Sequence, residues 1–136
     1  ASLFGQRDMS GDIVRRGAFA ASLLKQSHRN FPMLMGHETK TPIGVWDRVV
    51  EDSGGLFVSG RLFAGTKRAD NALKLTLEGA VSGLSIGYRA VRHERISNGR
   101  SLTEIDLFEI SIVAFPMLRD ARITDITLLP NGDSHE

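Results

Sequence analysis

The chain has 136 residues, the size of one domain, and its 41% hydrophobic and 24% charged residues exclude a disordered or fibrous chain. Seventeen basic against 16 acidic residues leave a net charge of +1, which argues against a protein whose main task is neutralising phosphates. With no cysteine, the chain has no disulfides, thiolate zinc sites, iron–sulfur ligation or cysteine nucleophile, and it fits a reducing compartment.

Ala1-Ser2-Leu3-Phe4-Gly5 lacks the basic and apolar regions of a secretory signal, and there is no initiator Met, so the chain reads as processed or trimmed. No apolar run reaches the roughly 18–20 residues that span a bilayer, so no membrane span is expected. Residues 18–26, alanine-rich and following Gly17, predict a short helix. Residues 31–35 read as a buried strand that leads through Gly36 into His37. Residues 42–50 and 56–63 flank the turn-rich segment 51–55, which predicts a hairpin. Residues 66–78 predict a better-marked helix, with Thr66 as N-cap, Gly79 as its stop, and Ala69, Ala72, Leu73, Leu77 and Ala80 on the packing face. A second hairpin is expected around Asn98-Gly99, joining residues 83–96 to 101–115. A last strand is placed over 122–128, and residues 126–136 read as a polar tail. Many short strands with two helices in one small domain predict an α+β, mostly β fold: a closed or nearly closed barrel with helices outside it.

Ser85 stands out among nucleophile candidates. It lies between Leu84 and Ile86, which should face the core, and two residues from Gly83 and Gly87. Those glycines are expected to leave room for a substrate backbone to approach the hydroxyl. The structural alternative is a strand serine beside bulge glycines. Of the four histidines, His28, His93 and His135 sit in polar surroundings, whereas His37 ends a buried strand that could fix its ring. A structural histidine is the alternative there. Glu109 interrupts the apolar stretch 105–113 and by alternation shares a face with Leu107, Ser111 and Val113. Buried, it must be paired or protonated; otherwise it is a strand carboxylate facing solvent or an arginine. Asp106 is the competing acid, on the opposite face beside Phe108. No metal site reads from the spacing, since His37-Glu38 lacks a second histidine one helical turn on. Arg89, Arg92 and Arg95 read as an exposed strand face that needs no nucleic acid.

The ordered set Gly11-Asp12, Gly17-Ala18-Phe19, Leu34-Met35-Gly36-His37-Glu38, Pro42-Ile43-Gly44, Gly79-Ala80, Gly83-Leu84-Ser85-Ile86-Gly87-Tyr88 and 106–113, with Pro116 and Ala121, resembles the prohead (capsid maturation) proteases of tailed phages, Hong Kong 97 type. The resemblance runs from about residue 4 to residue 126 and implies a single protease domain. That family is itself similar to the herpesvirus assemblins, serine proteases on a β-barrel surrounded by helices. The resemblance implies a serine endopeptidase with Ser85 as nucleophile and His37 as base. Assemblins use a second histidine as third member; the corresponding segment here offers Glu109, which can accept the imidazole N–H. Their oxyanion site uses an arginine-bearing loop, whose counterpart is residues 115–119 with Arg119, where Pro116 cannot donate an N–H. The implied substrates are scaffold or the scaffold-like N-terminal extension of the major capsid protein, and also the chain itself. The place of action is inside the immature capsid in the host cell cytoplasm. A homo-oligomer is the implied assembly, with a dimer suggested by the assemblins, and no cofactor, nucleic acid or membrane is implied. The alternative is a non-catalytic barrel that binds capsid or scaffold protein as an assembly factor.

Overall fold

The structure is a computed structural model that describes residues 1–26, 31–63 and 65–124. Among the described residues, strands β1 (Ser2–Leu3), β2 (Asp12–Val14) and β3 (Phe31–Met35) bracket helix α1 (Ala20–Lys25). Strands β4 (Gly44–Glu51) and β5 (Gly55–Leu62) form the first hairpin, helix α2 (Lys67–Leu77) follows, and β6 (Gly83–Ile96) and β7 (Gly99–Val113) form the second. All seven strands belong to one nearly closed, barrel-shaped sheet of order β1-β5-β4-β3-β7-β2, with β6 also paired to β7. The mostly β fold with two helices outside the sheet is the architecture the sequence predicts.

Strand β7 organises the barrel because it serves three neighbours. Along its whole length it pairs antiparallel with β6. On its other edge, Arg100–Leu102 pair parallel with β2 and Ile110–Ile112 pair parallel with β3. The stretch of that edge between β2 and β3 is closed by α1 and the residues before it. Ile105 N–H donates to the Ala18 carbonyl (3.1 Å) and Leu107 N–H to Ser22 Oγ (2.9 Å), while Gln26 Nε2 donates to the Leu107 carbonyl (3.0 Å). Ser22 is buried for this reason: a backbone donor inside the protein needs a partner.

Phe19, Ile43, Leu102, Ile105, Leu107 and Ile110 fill the core. Trp46 closes one side of it and donates its indole N–H to the Ile110 carbonyl at 3.0 Å. Helix α2 begins with Thr66, whose hydroxyl accepts from Ala69 N–H (3.3 Å). It ends as expected at Gly79, whose φ of +80° lets Gly79 N–H reach the Thr76 carbonyl and Ala80 N–H reach the Leu75 carbonyl. Its packing face corrects the sequence reading. Ala69 and Ala72 are buried and Leu75 joins the core, but Leu77, the last residue of the helix, and Ala80 beyond its end are exposed.

The second hairpin turns through Ser97 and Asn98, with Asn98 left-handed at φ +63° and Gly99 already paired to Ile96. The last predicted strand, 122–128, falls partly outside the described residues; within them, Arg122 forms a single bridge to Gly83. His28, His135 and the tail 126–136 also lie outside the described residues. Among the described residues no helix is long and apolar enough to cross a membrane.

Candidate active site

The site is built where β3, β6 and β7 meet. Ser85 on β6 stands opposite Ser111 on β7, and Gly87 stands opposite Glu109. Between Gly87 and Tyr88 the register slips by one, because β7 carries Phe108 as an extra residue. This bulge overturns part of the expected alternation. Leu107 is in the core with Ile110 and Ile112, while Glu109 falls with Ser111 on the opposite face, and Phe108 is 53% exposed. A one-residue slip reverses every side chain beyond it, which is why Glu109 and Leu107 part company.

His37 follows the end of β3. Gly36 and His37 both adopt left-handed backbone, at φ +60° and +63°. For a residue with a Cβ this conformation costs about 1–2 kcal/mol, so something must hold it. Gly36 N–H donates to the Ile112 carbonyl (3.0 Å) and His37 N–H donates to Ser111 Oγ (3.0 Å). The tight turn brings His37 Nδ1 to 2.5 Å from Glu109 Oε2. The second carboxylate oxygen, Oε1, accepts from Ser111 Oγ at 2.7 Å. Since a carboxylate only accepts, the contact places a proton on Nδ1, and in the neutral ring Nε2 then carries the lone pair. The Glu109 side chain is only 12% exposed, whereas the imidazole is 43% exposed and reaches solvent.

Ser85 is buried as a residue but its hydroxyl is not closed off. Ser85 Oγ has no hydrogen-bond partner among the described residues, and every fully buried side-chain nitrogen or oxygen there has one. Ser85 and His37 both line one cavity of about 160 Å³. Leu84, Ile86, Met117 and Leu118 contribute apolar lining, and Asp8 and Asp12 add carboxylates to it. The structure thus places Ser85 and His37 on one cavity, with Glu109 bonded to the His37 ring.

The sequence matches known proteins. The family described as caudovirus prohead serine protease matches residues 1–131. The chain belongs to that family. The prohead protease of Enterobacteria phage HK97 is 36% identical over 127 residues, covering 90% of this chain. The chain spans 56% of the length of that relative. No solved structure matches the chain significantly.

The remaining candidates lie elsewhere in this member of the prohead protease family. Asp106 pairs across the hairpin with Arg89, 3.7 Å away, and not with His37. Arg92 pairs with Glu104 at 3.0 Å, and His93 and Arg95 are exposed. Arg119 is exposed; its carbonyl accepts from Arg122 Nε (2.8 Å), and the cavity wall ends at Leu118 beside it. The glycines beside Ser85 correct an expectation. The space over Gly83 is filled by Pro116, whose Cδ would lie 2.6 Å from an added Cβ, and the space over Gly87 is filled by the Glu109 carboxylate. The protein's own groups, rather than a substrate, use the room these glycines leave.

Two features escaped the sequence reading. Ser111, wholly buried, bonds both His37 and Glu109; its only signal was a polar residue within an apolar strand end. Asp12, 5% exposed and also lining the cavity, accepts two hydrogen bonds from Arg100 (both 2.9 Å) and one from the Tyr88 hydroxyl (2.9 Å). The Arg100 hydrogen bonds, helped by Tyr88, hold the Asp12 carboxyl below the usual carboxylate range. Burial, then the Asp12 hydrogen bond, pushes the Tyr88 phenol up. Nothing in the local sequence around residues 12, 88 and 100 announces this contact.

Proposed function

We propose that this chain is a serine endopeptidase of capsid maturation, with Ser85 as nucleophile, His37 as general base and Glu109 as the group that orients His37. The observation that carries the reading is the 2.5 Å contact from His37 Nδ1 to Glu109 Oε2, with His37 and Ser85 lining one cavity. As a peptide enters, the unpartnered Ser85 hydroxyl turns to His37 Nε2, which takes its proton while Oγ bonds to the peptide carbonyl carbon. Glu109 stabilises the imidazolium formed at that moment. The imidazolium then protonates the leaving nitrogen as the C–N bond breaks, and a water repeats the sequence on the acyl-enzyme to release the acid and restore Ser85. Arg119, one residue beyond the cavity wall at Leu118, is the candidate contact to the oxyanion in this reading.

The family's description and the relative's name support a protease of the prohead; the substrates in this reading are scaffold or the scaffold-like N-terminal extension of the major capsid protein, and also the chain itself. The reaction then takes place inside the immature capsid in the host cytoplasm, and a homodimer is the proposed active assembly.

Intact-mass analysis after treatment with a serine-reactive phosphonate tests this directly, at several protein concentrations. A single adduct at Ser85 that disappears in Ser85→Ala and His37→Ala is the expected result, with a yield that rises with concentration if dimerisation activates the site. Cleavage of co-expressed capsid precursor by the wild type alone completes the test. Binding of that precursor with neither adduct nor cleavage would identify a non-catalytic assembly factor instead.

A further inference from the structure

We infer that Ser111 is a positioning residue for the reaction proposed above, holding the imidazole and its carboxylate in register through one hydroxyl. Its Oγ has one proton to donate and lone pairs to accept with, and both capacities are in use. The proton goes to Glu109 Oε1 at 2.7 Å, and a lone pair takes His37 N–H at 3.0 Å. These contacts fix different parts of the dyad. The first sets the plane of the Glu109 carboxylate, whose other oxygen meets His37 Nδ1. The second holds the His37 backbone in its left-handed conformation, which aims the ring. Ser111 is also the cross-strand partner of Ser85, so the residue that sets the base is in register with the nucleophile. It is wholly buried and does not line the cavity, so it acts through His37 and Glu109 and not on substrate.

A serine that only satisfied buried polar groups would affect stability alone. A positioning serine must also affect the geometry of the dyad, and a displacement near 1 Å lowers turnover by about a hundred-fold. The inference rests on the serine-protease reading, so its test needs one arm that requires no proteolysis.

The variants are Ser111→Ala and, as a nearly isosteric second choice with a weaker donor, Ser111→Cys. Ser111→Ala is expected to lower kcat by about a hundred-fold with KM little changed, and Ser111→Cys to fall between it and wild type. In the Glu109→Gln background, Ser111→Ala should add much less than it does alone, because both act on one imidazole. The independent arm is proton NMR of the folded protein, where the His37 Nδ1–H held by Glu109 should give a low-field resonance. That signal should move or broaden in Ser111→Ala and in Ser111→Cys. Wild-type kcat in both variants, or an unmoved resonance, would overturn the positioning role. If wild type gives neither cleavage nor a Ser85 adduct, the protease reading falls, and the NMR arm still decides what Ser111 does.

Discussion

The Glu109 carboxylate lies across Gly87, occupying the space where any other residue would carry its Cβ. The two residues face each other across the β6–β7 ladder, so the missing side chain on one strand makes the bed for the acid on the other. A methyl at position 87 would meet Glu109 Cδ and Oε2, which is the oxygen that bonds His37. Gly87→Ala is therefore expected to leave the barrel folded, since β6 keeps its pairing on both sides of the residue, while the carboxylate is pushed off the ring. We expect kcat to fall by about a hundred-fold, as for other small displacements of a catalytic group. Steady-state kinetics alongside a thermal melt checks this, and unchanged turnover would mean that Glu109 can shift without loss.

The two acids of β7 should separate cleanly. Glu109→Gln keeps the shape but loses the acceptor that fixes the Nδ1–H tautomer, and the comparable change in a Ser-His-Asp enzyme lowers turnover by about 10⁴-fold. Some activity should survive, unlike in Ser85→Ala or His37→Ala. Asp106→Asn should cleave as wild type does, because its partner is the exposed Arg89 at 3.7 Å. Such a pair is worth only about 0–1 kcal/mol. The reverse pattern, with Asp106→Asn inactive and Glu109→Gln active, would move the third role to Asp106.

What the sequence revealed and what it hid divide along the range of the interactions. Both hairpins and the limits of α2 were legible because Asp52, Asn98, Gly79 and Thr66 act within a few residues of themselves. The face of Glu109 was not fully legible. In Leu107-Phe108-Glu109-Ile110, apolar residues stand on either side of the acid, and only pairing with β6 decides that Phe108 is the extra residue. Likewise, Gly83 and Gly87 announced close approaches, but Pro116 and Glu109, the groups that approach, come from β7 and the loop beyond it. Ser85 and His37 could be nominated from local context and from the family resemblance. Ser111 could not, since its value lies in touching residues 74 and two positions away at once.

Acid should weaken the contact between Asp12 and Arg100. The Arg100 hydrogen bonds depress the Asp12 carboxyl, so the folded chain takes up this proton at a lower pH than the unfolded chain does. The stabilisation is then fully present above the unfolded carboxylate value of about 3.9 and is lost as pH falls through the folded one. Asp12→Asn should cost about 1.5–3 kcal/mol at neutral pH, the worth of a hydrogen bond to a charged group. Its melting temperature should also fall less steeply with acid than that of wild type. Thermal melts taken from neutral pH down through the carboxylate range check both points; parallel curves would show that Asp12 does not titrate in this window.

The last expectation concerns the support under the bulge. Leu107 is the final residue before Phe108, and its N–H has Ser22 Oγ as partner at 2.9 Å, inside the protein. Ser22→Ala removes the acceptor and leaves a buried backbone donor unpaired, which costs about 1–3 kcal/mol. Because Gln26 still holds the Leu107 carbonyl, the strand should keep its place and the protein should fold. The loss should appear first as faster hydrogen exchange of the Leu107 amide and a lower melting temperature, with a smaller effect on turnover than Gly87→Ala produces. Should turnover instead fall as far as in Gly87→Ala, α1 would have to be counted among the elements that place Glu109, since it is the bulge above Ser22 that turns this acid toward His37.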